Sequence, residues 1–186
     1  MDVRWLPAAG VVAVLLSSCV SGGSVGAGSV VQVQEPAAAA PAPGPSGRET
    51  GEVVRIVDGD TLYLRGDGDL LDPSGTAVRL LQVDTPETVA PGMPVECWGP
   101  EASAALAELA PPGSTVTVEA DRELLDRYGR TLLYVYDADG AMVNLELVRA
   151  GHGTAVLYPP NDRHIERMRA AEESARDAGR GLWSAC

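Results

Sequence analysis

Glu52-Val-Val-Arg-Ile-Val57, Asp58-Gly-Asp60 and Thr61-Leu-Tyr-Leu-Arg65 follow one another without a break, and this stretch decides the fold. The two flanking runs are short and β-favouring, and the Asp-Gly-Asp segment between them has turn chemistry. Together they read as a β-hairpin. A polar loop over 66–76 leads into Ala77-Val-Arg-Leu-Leu-Gln-Val83, whose alternation puts Val78, Leu80 and Gln82 on one face and Arg79, Leu81 and Val83 on the other. Arg79 therefore projects from a strand. Pro86 is expected to end that strand, because proline removes a ladder donor.

Further along, Gly99-Pro-Glu-Ala opens a helix with apolar residues Ala102, Leu106 and Leu109 at helical spacing, stopped by Pro111-Pro-Gly113. Thr115–Glu119 and Leu132–Tyr136 read as the fourth and fifth strands. Met142–Ala150 is a helix ended by Gly151, and Asp162–Ala178 is a third, with Ile165, Met168, Ala171 and Ala175 inward. Five short strands with helices inserted late give an α+β class and a small closed barrel.

That domain is expected to start near Gly51 and run over residues 51–186. Before it, Leu6–Leu16 is an apolar run too short to span a bilayer and of the length of a signal-peptide core. It ends in Leu16-Ser-Ser-Cys19, which resembles the bacterial lipobox, so residues 1–18 are expected to be a lipoprotein signal peptide and Cys19 the lipidated residue. Residues 19–50 are dominated by Gly, Ser, Ala, Val, Gln and Pro. They cannot bury enough apolar area to offset their ordering entropy, and read as a disordered tether. The expected location is outside the cytoplasm, as a cell-envelope lipoprotein held to the membrane by its N-terminal lipid or as an extracellular protein. With Cys19 assigned to lipid, Cys97 and Cys186 remain, as a disulfide or as two thiols. An oxidising compartment favours the bond, which would stabilise the fold by roughly 4 kcal/mol in the chain-entropy model. A monomer is the default state.

The chemistry is concentrated between Val57 and Arg130. Asp58, Asp60, Asp84 and Glu87 can hold a hard divalent cation and handle a water molecule, and Arg79 and Arg130 can grip and neutralise a phosphate. That set suits phosphodiester cleavage. Charge argues the other way: the 14 basic residues are all arginine against 26 acids, a formal net charge of -12, so no broad basic face is available to attract nucleic acid. Binding must rest on local arginines and a bound metal. His152 and His164 belong to no histidine-metal motif and read as structural.

Six segments in order, Ile56-Val-Asp-Gly-Asp-Thr61, Arg79-Leu-Leu-Gln-Val-Asp-Thr-Pro-Glu87, Gly99-Pro-Glu-Ala-Ser103, Asp126-Arg-Tyr-Gly-Arg130, Met142-Val-Asn144 and Leu182-Trp-Ser184, resemble the staphylococcal nuclease family over essentially all of 51–186. The resemblance implies a five-stranded OB-type barrel with three α-helices, and a Ca2+-dependent phosphodiesterase acting on DNA and RNA to leave a 5′-hydroxyl and a 3′-phosphate. It implies Asp60, Asp84 and the Thr85 carbonyl as Ca2+ ligands, with Asp58 close behind them. It implies Glu87 as the residue that binds or deprotonates the attacking water, and Arg79 and Arg130 as the grip on the scissile phosphate. Arg127 stands where the family has a lysine, and Tyr128 and Tyr158 match substrate-contacting aromatics. Val156 departs from the pattern, replacing a second substrate-facing tyrosine. The competing reading is a non-catalytic module on the same barrel, holding an oligonucleotide, a glycan or a protein; degenerate relatives normally lose the acids or arginines, and this chain keeps all six.

Overall fold

The computed structural model describes residues 47–88, 92 and 94–186. The segments expected to be a signal peptide and a tether, with Cys19, lie almost wholly outside the described residues. The 52–65 hairpin is present as β1 (Arg48–Ile56) and β2 (Thr61–Arg65), paired antiparallel with Arg55 opposite Tyr63 and Ile56 opposite Leu62. Strand β1 thus begins three residues before the Gly51 that composition suggested. β3 (Thr76–Leu80) pairs antiparallel with β2. The chain then makes β4 (Val83–Asp84), helix α1 (Gly99–Leu109), β5 (Thr115–Leu125) and β6 (Thr131–Tyr136). The sheet closes in the order β1-β2-β3-β6-β5, with β5 back against β1 and only the β3–β6 pair parallel. Closure removes both sheet edges.

Period-two alternation fills the barrel: Val53, Leu62, Leu64, Val78, Leu80, Val116, Val118, Leu133 and Val135 are buried inside it. β6 is buried along its whole length, because α2 (Val143–Ala150) packs on its outer face. Helix α3 (Ile165–Asp177) packs in turn on α2. A short pair, β4 with β7 (Thr154–Ala155), lies outside the barrel. A fourth helix, α4 (Leu182–Ala185), adds one turn to the three expected. Its approach depends on Gly151, which ends α2 at φ 80°, where a Cβ would stand 2.3 Å from the Arg180 carbonyl oxygen.

Two boundaries differ from the sequence reading. The strand through Arg79 ends at Leu80, not at Pro86, because Leu81 and Gln82 form a turn with Gln82 at φ 62°. Tertiary bonds hold that turn. The Leu81 amide donates to the Leu133 carbonyl at 2.9 Å, Asn144 Nδ2 donates to the Leu81 carbonyl at 2.9 Å, and Gln82 Nε2 donates to the Asn161 carbonyl at 3.0 Å. Strand β5 runs on to Leu125, six residues beyond Glu119, with its register against β6 shifting between Ala120 and Leu125. Cys97 and Cys186 are disulfide-bonded with Cα atoms 6.0 Å apart, which ties the C-terminal residue to the approach of α1.

Candidate active site

A cleft of about 1160 Å³ opens on the outer face of β1, β2 and β3, bounded on one side by the β5–β6 turn. Arg79, outward-facing on β3, is the centre of its acidic end. It is only 9% exposed, and its two terminal nitrogens reach different carboxylates. Nη1 is bonded to Asp60 Oδ1, and Nη2 donates to Asp84 Oδ1 at 2.6 Å, to the Val83 carbonyl at 3.2 Å and to the Tyr158 hydroxyl at 3.0 Å. A planar guanidinium has the geometry to bridge two carboxylates in this way.

Local structure delivers the acids to that point. In the β1–β2 turn, Asp58 Oδ1 accepts the Asp60 amide at 3.0 Å, which closes an Asx turn and aims Asp60 into the site. Asp60 is 2% exposed, and its Oδ2 accepts both the Thr85 amide at 2.9 Å and the Thr85 hydroxyl at 3.0 Å. Gly59 is required there: a Cβ would sit 2.6 Å from Thr85 Oγ1 and 2.8 Å from the Ala102 side chain. Asp84 arrives at the same place because the Leu81–Gln82 turn diverts the chain into β4. Burial, foremost, pushes the Asp58 carboxyl above the ordinary carboxylate value; the charge of Glu87 adds to this, while a Thr61 hydrogen bond and the Arg79 charge oppose it. Glu87 also lines the cleft. Its backbone is clasped by Glu96, whose amide donates to the Glu87 carbonyl at 2.9 Å and whose carboxylate accepts the Glu87 amide at 3.0 Å.

The opposite wall carries Arg130. Its Nη1 donates to Thr61 Oγ1 at 3.3 Å, so the two arginines converge on neighbouring residues of the hairpin: Thr61 in turn donates to Asp60 at 3.1 Å. Arg130 is held by Asp126, which accepts its Nε at 2.7 Å and its backbone amide at 2.9 Å, and the Tyr128 amide at 2.8 Å. Burial raises the Asp126 carboxyl, but these bonds and the Arg130 charge outweigh it and leave the group below its usual value. Tyr128 is exposed beside this arginine, with Arg130 Cζ 5.5 Å and Arg127 Cζ 4.7 Å from its ring centre.

All of the sequence-predicted substrate and phosphate residues, Arg79, Arg127, Tyr128, Arg130 and Tyr158, line this one cleft, together with Asp58, Asp84 and Glu87. The expected cage of carboxylates takes a different form: among the described residues no group of three or more His, Cys, Asp or Glu is gathered as a metal site, and the Arg79 guanidinium bridges Asp60 and Asp84. Thr85 contributes its amide and hydroxyl to Asp60. The donors are nonetheless hard oxygens, and two of the carboxylates already share one cation, a donor set of the kind Ca2+ accepts.

His152 and His164 lie off the cleft. His152 Nδ1 accepts the Trp98 indole N–H at 3.1 Å, and His164 packs edge-on against Tyr134 at 4.6 Å. Val156 uses its amide to bond the Gln82 carbonyl at 3.2 Å, and its side chain does not line the cleft. Asp126 has no role assigned from sequence alone, although Asp followed four residues later by Arg across a glycine turn is a readable signal. Arg55 and Tyr63 also line the cleft without a sequence-based role, because their partnership depends on strand register.

A family model described as Staphylococcal nuclease homologue matches residues 77–185. The chain is 38% identical over 131 residues to a thermonuclease of Staphylococcus intermedius, covering 70% of this chain and 74% of that one. It is 37% identical over 136 residues to a thermonuclease of Staphylococcus hyicus, covering 73% and 76%. A third relative, the SPbeta prophage-derived endonuclease YokF of Bacillus subtilis, is 36% identical over 132 residues, which is 70% of this chain but 42% of that protein.

Proposed function

This chain belongs to the staphylococcal nuclease family and is a nuclease, and we propose that it is a Ca2+-dependent one, hydrolysing DNA or RNA to 3′-phosphate products. The observation that carries the reading is the bridging Arg79. It faces Arg130 across a cleft in which Glu87 and Tyr158 also stand.

In this reading Asp60, Asp84 and Thr85 hold Ca2+, with Asp58 behind them. Bound there, the ion would neutralise and polarise the phosphate. The chain's own residues do the rest. Arg79 and Arg130 seat the scissile phosphate between their planar heads and counter the charge that grows on its oxygens as a fifth bond forms. Glu87 orients a water molecule and takes its proton on a carboxylate oxygen. The bond from the water oxygen to phosphorus forms and the bond from phosphorus to the 5′-oxygen breaks, and the departing 5′-oxygen takes a proton from solvent water, leaving a 3′-phosphate and a 5′-hydroxyl. Tyr158 positions the nucleotide beside Arg79, and Arg127 and Tyr128 position the one beside Arg130. Arg79 would exchange part of its carboxylate contacts for phosphate when substrate enters.

We further propose that the mature protein is an exported monomer, lipidated at Cys19 and held off the membrane by residues 19–50; the lipobox-like sequence and the composition of the tether support this. The test of the catalytic reading is incubation with single-stranded DNA in Ca2+ and then in EDTA. Cleavage that stops on chelation and returns with Ca2+ is expected; cleavage indifferent to chelation, or none in either, contradicts it.

A further inference from the structure

We propose that Arg55 and Tyr63 form a base-stacking subsite for a nucleotide flanking the scissile phosphate, an inference that deepens the nuclease reading and rests on it. Cross-strand register sets the geometry. Arg55 on β1, Tyr63 on β2 and Ala77 on β3 form one row across the barrel's outer face. Thr61 and Arg79 form the adjacent row on the same face, two residues along. Two residues of strand span about 7 Å. The pair therefore lies one row beyond the phosphate grip, and all of these residues line the same cleft.

The Arg55 guanidinium carbon is 3.8 Å from the Tyr63 ring centre, so a flat cationic head lies on a flat ring. Arg55 is exposed, Tyr63 half-buried, and among the described residues Arg55 has no carboxylate partner. By contrast Arg65, the next outward-facing position on β2, is bound to Glu52 at 2.7 Å. Ala77 completes the row without bulk. Chain composition points the same way: of five tyrosines, Tyr134 and Tyr136 are buried, and the other three all line this cleft. Glu123 lines it too, so stacking rather than bulk charge is what the platform supplies. Bases of any identity stack on a π-face or a guanidinium, so the subsite favours single strands with little sequence preference.

The test is fluorescence anisotropy with a labelled eight-nucleotide oligothymidylate, using full chain carrying Glu87→Gln in Ca2+ so that the probe survives. Adding Tyr63→Thr, which keeps strand propensity, is expected to weaken binding roughly 5- to 100-fold, and Tyr63→Trp to stay within about twofold of the parent. Affinity for a mononucleotide, too short to span both rows, should not change. An unaltered eight-mer affinity, or an equal loss for the mononucleotide, overturns the subsite. Hydrolysis of the same eight-mer by the unsubstituted chain is read in parallel. Cleavage without a Tyr63 effect sinks the subsite alone, whereas a chain that neither binds nor cleaves sinks this inference and the nuclease reading together.

Discussion

Replacing Asn144 by leucine should loosen the turn that delivers Asp84, and its cost can be worked from the bonds present. Asn144 is fully buried at the start of α2. It donates to the Leu81 carbonyl at 2.9 Å and the Leu133 carbonyl at 3.2 Å, and accepts the Val135 amide at 2.9 Å. Leu133 keeps a second partner, the Leu81 amide, so its loss is small. The Leu81 carbonyl and the Val135 amide, beyond the last β3–β6 pair at Leu80–Leu133, lose the side-chain partner Asn144 provides. A buried polar group left unpaired costs about 1–3 kcal/mol, giving about 4 kcal/mol for the two. The extra apolar surface of leucine returns about 1 kcal/mol. A net loss of about 3 kcal/mol, at a urea dependence of about 2 kcal/mol per molar, lowers the unfolding midpoint by about 1.5 M. The assay is urea titration followed by far-UV circular dichroism. A midpoint within about 0.3 M of the parent, at an unchanged slope, would mean that those backbone groups find other partners and that Asn144 does not hold the turn.

Asp126→Asn should weaken the hold on Arg130 and reduce kcat/KM on single-stranded DNA by about 10- to 100-fold, because a misplaced grip is felt strongly in positioning; parental kinetics would contradict the role given to Asp126. The pH sign follows from its depressed carboxyl: the stabilisation is complete above the unfolded value of about 3.9 and is lost as pH falls through the lower folded value. The stability gap between parent and Asp126→Asn should therefore be constant from neutral to mildly acid pH and close below about pH 4, as read by thermal melts; a gap that opens on acidification has the wrong sign. Replacing Cys97 and Cys186 together by alanine removes a link across 89 residues and should cost up to about 4 kcal/mol in urea unfolding. Because Cys97 adjoins Glu96, which clasps the Glu87 backbone, kcat should fall as well; an unchanged kcat at full folding would uncouple the bridge from the site.

How far the sequence speaks depends on which physical signal each residue carries. The hairpin around Asp58-Gly-Asp60, the outward Arg79 and the stop at Gly151 all rest on local rules, namely turn chemistry, period-two alternation and a left-handed cap, and the fold keeps them. The turn at Leu81–Gln82 was not readable, because Val78 through Val83 are all buried and alternation cannot register a bend inside a continuous buried run. Its cause lies in Leu133, Asn144 and Asn161, distant in sequence. The same holds in the site. Residue types announced carboxylates and arginines, but the bridging of Asp60 and Asp84 by Arg79 depends on a closed barrel bringing the turn and β4 together. Arg55 and Tyr63 become partners only once β1 and β2 are in register.

In the proposed mechanism Arg79 is the residue that meets the phosphate in this cleft. Its most direct test is the rate of single-stranded DNA hydrolysis in Ca2+ by full chain carrying Arg79→Ala, with folding checked by circular dichroism. A folded variant whose kcat is about 100- to 1000-fold or more below the parent is the predicted result. A folded variant within about threefold of the parent would contradict it, since losing a donor aimed at the developing charge should cost far more.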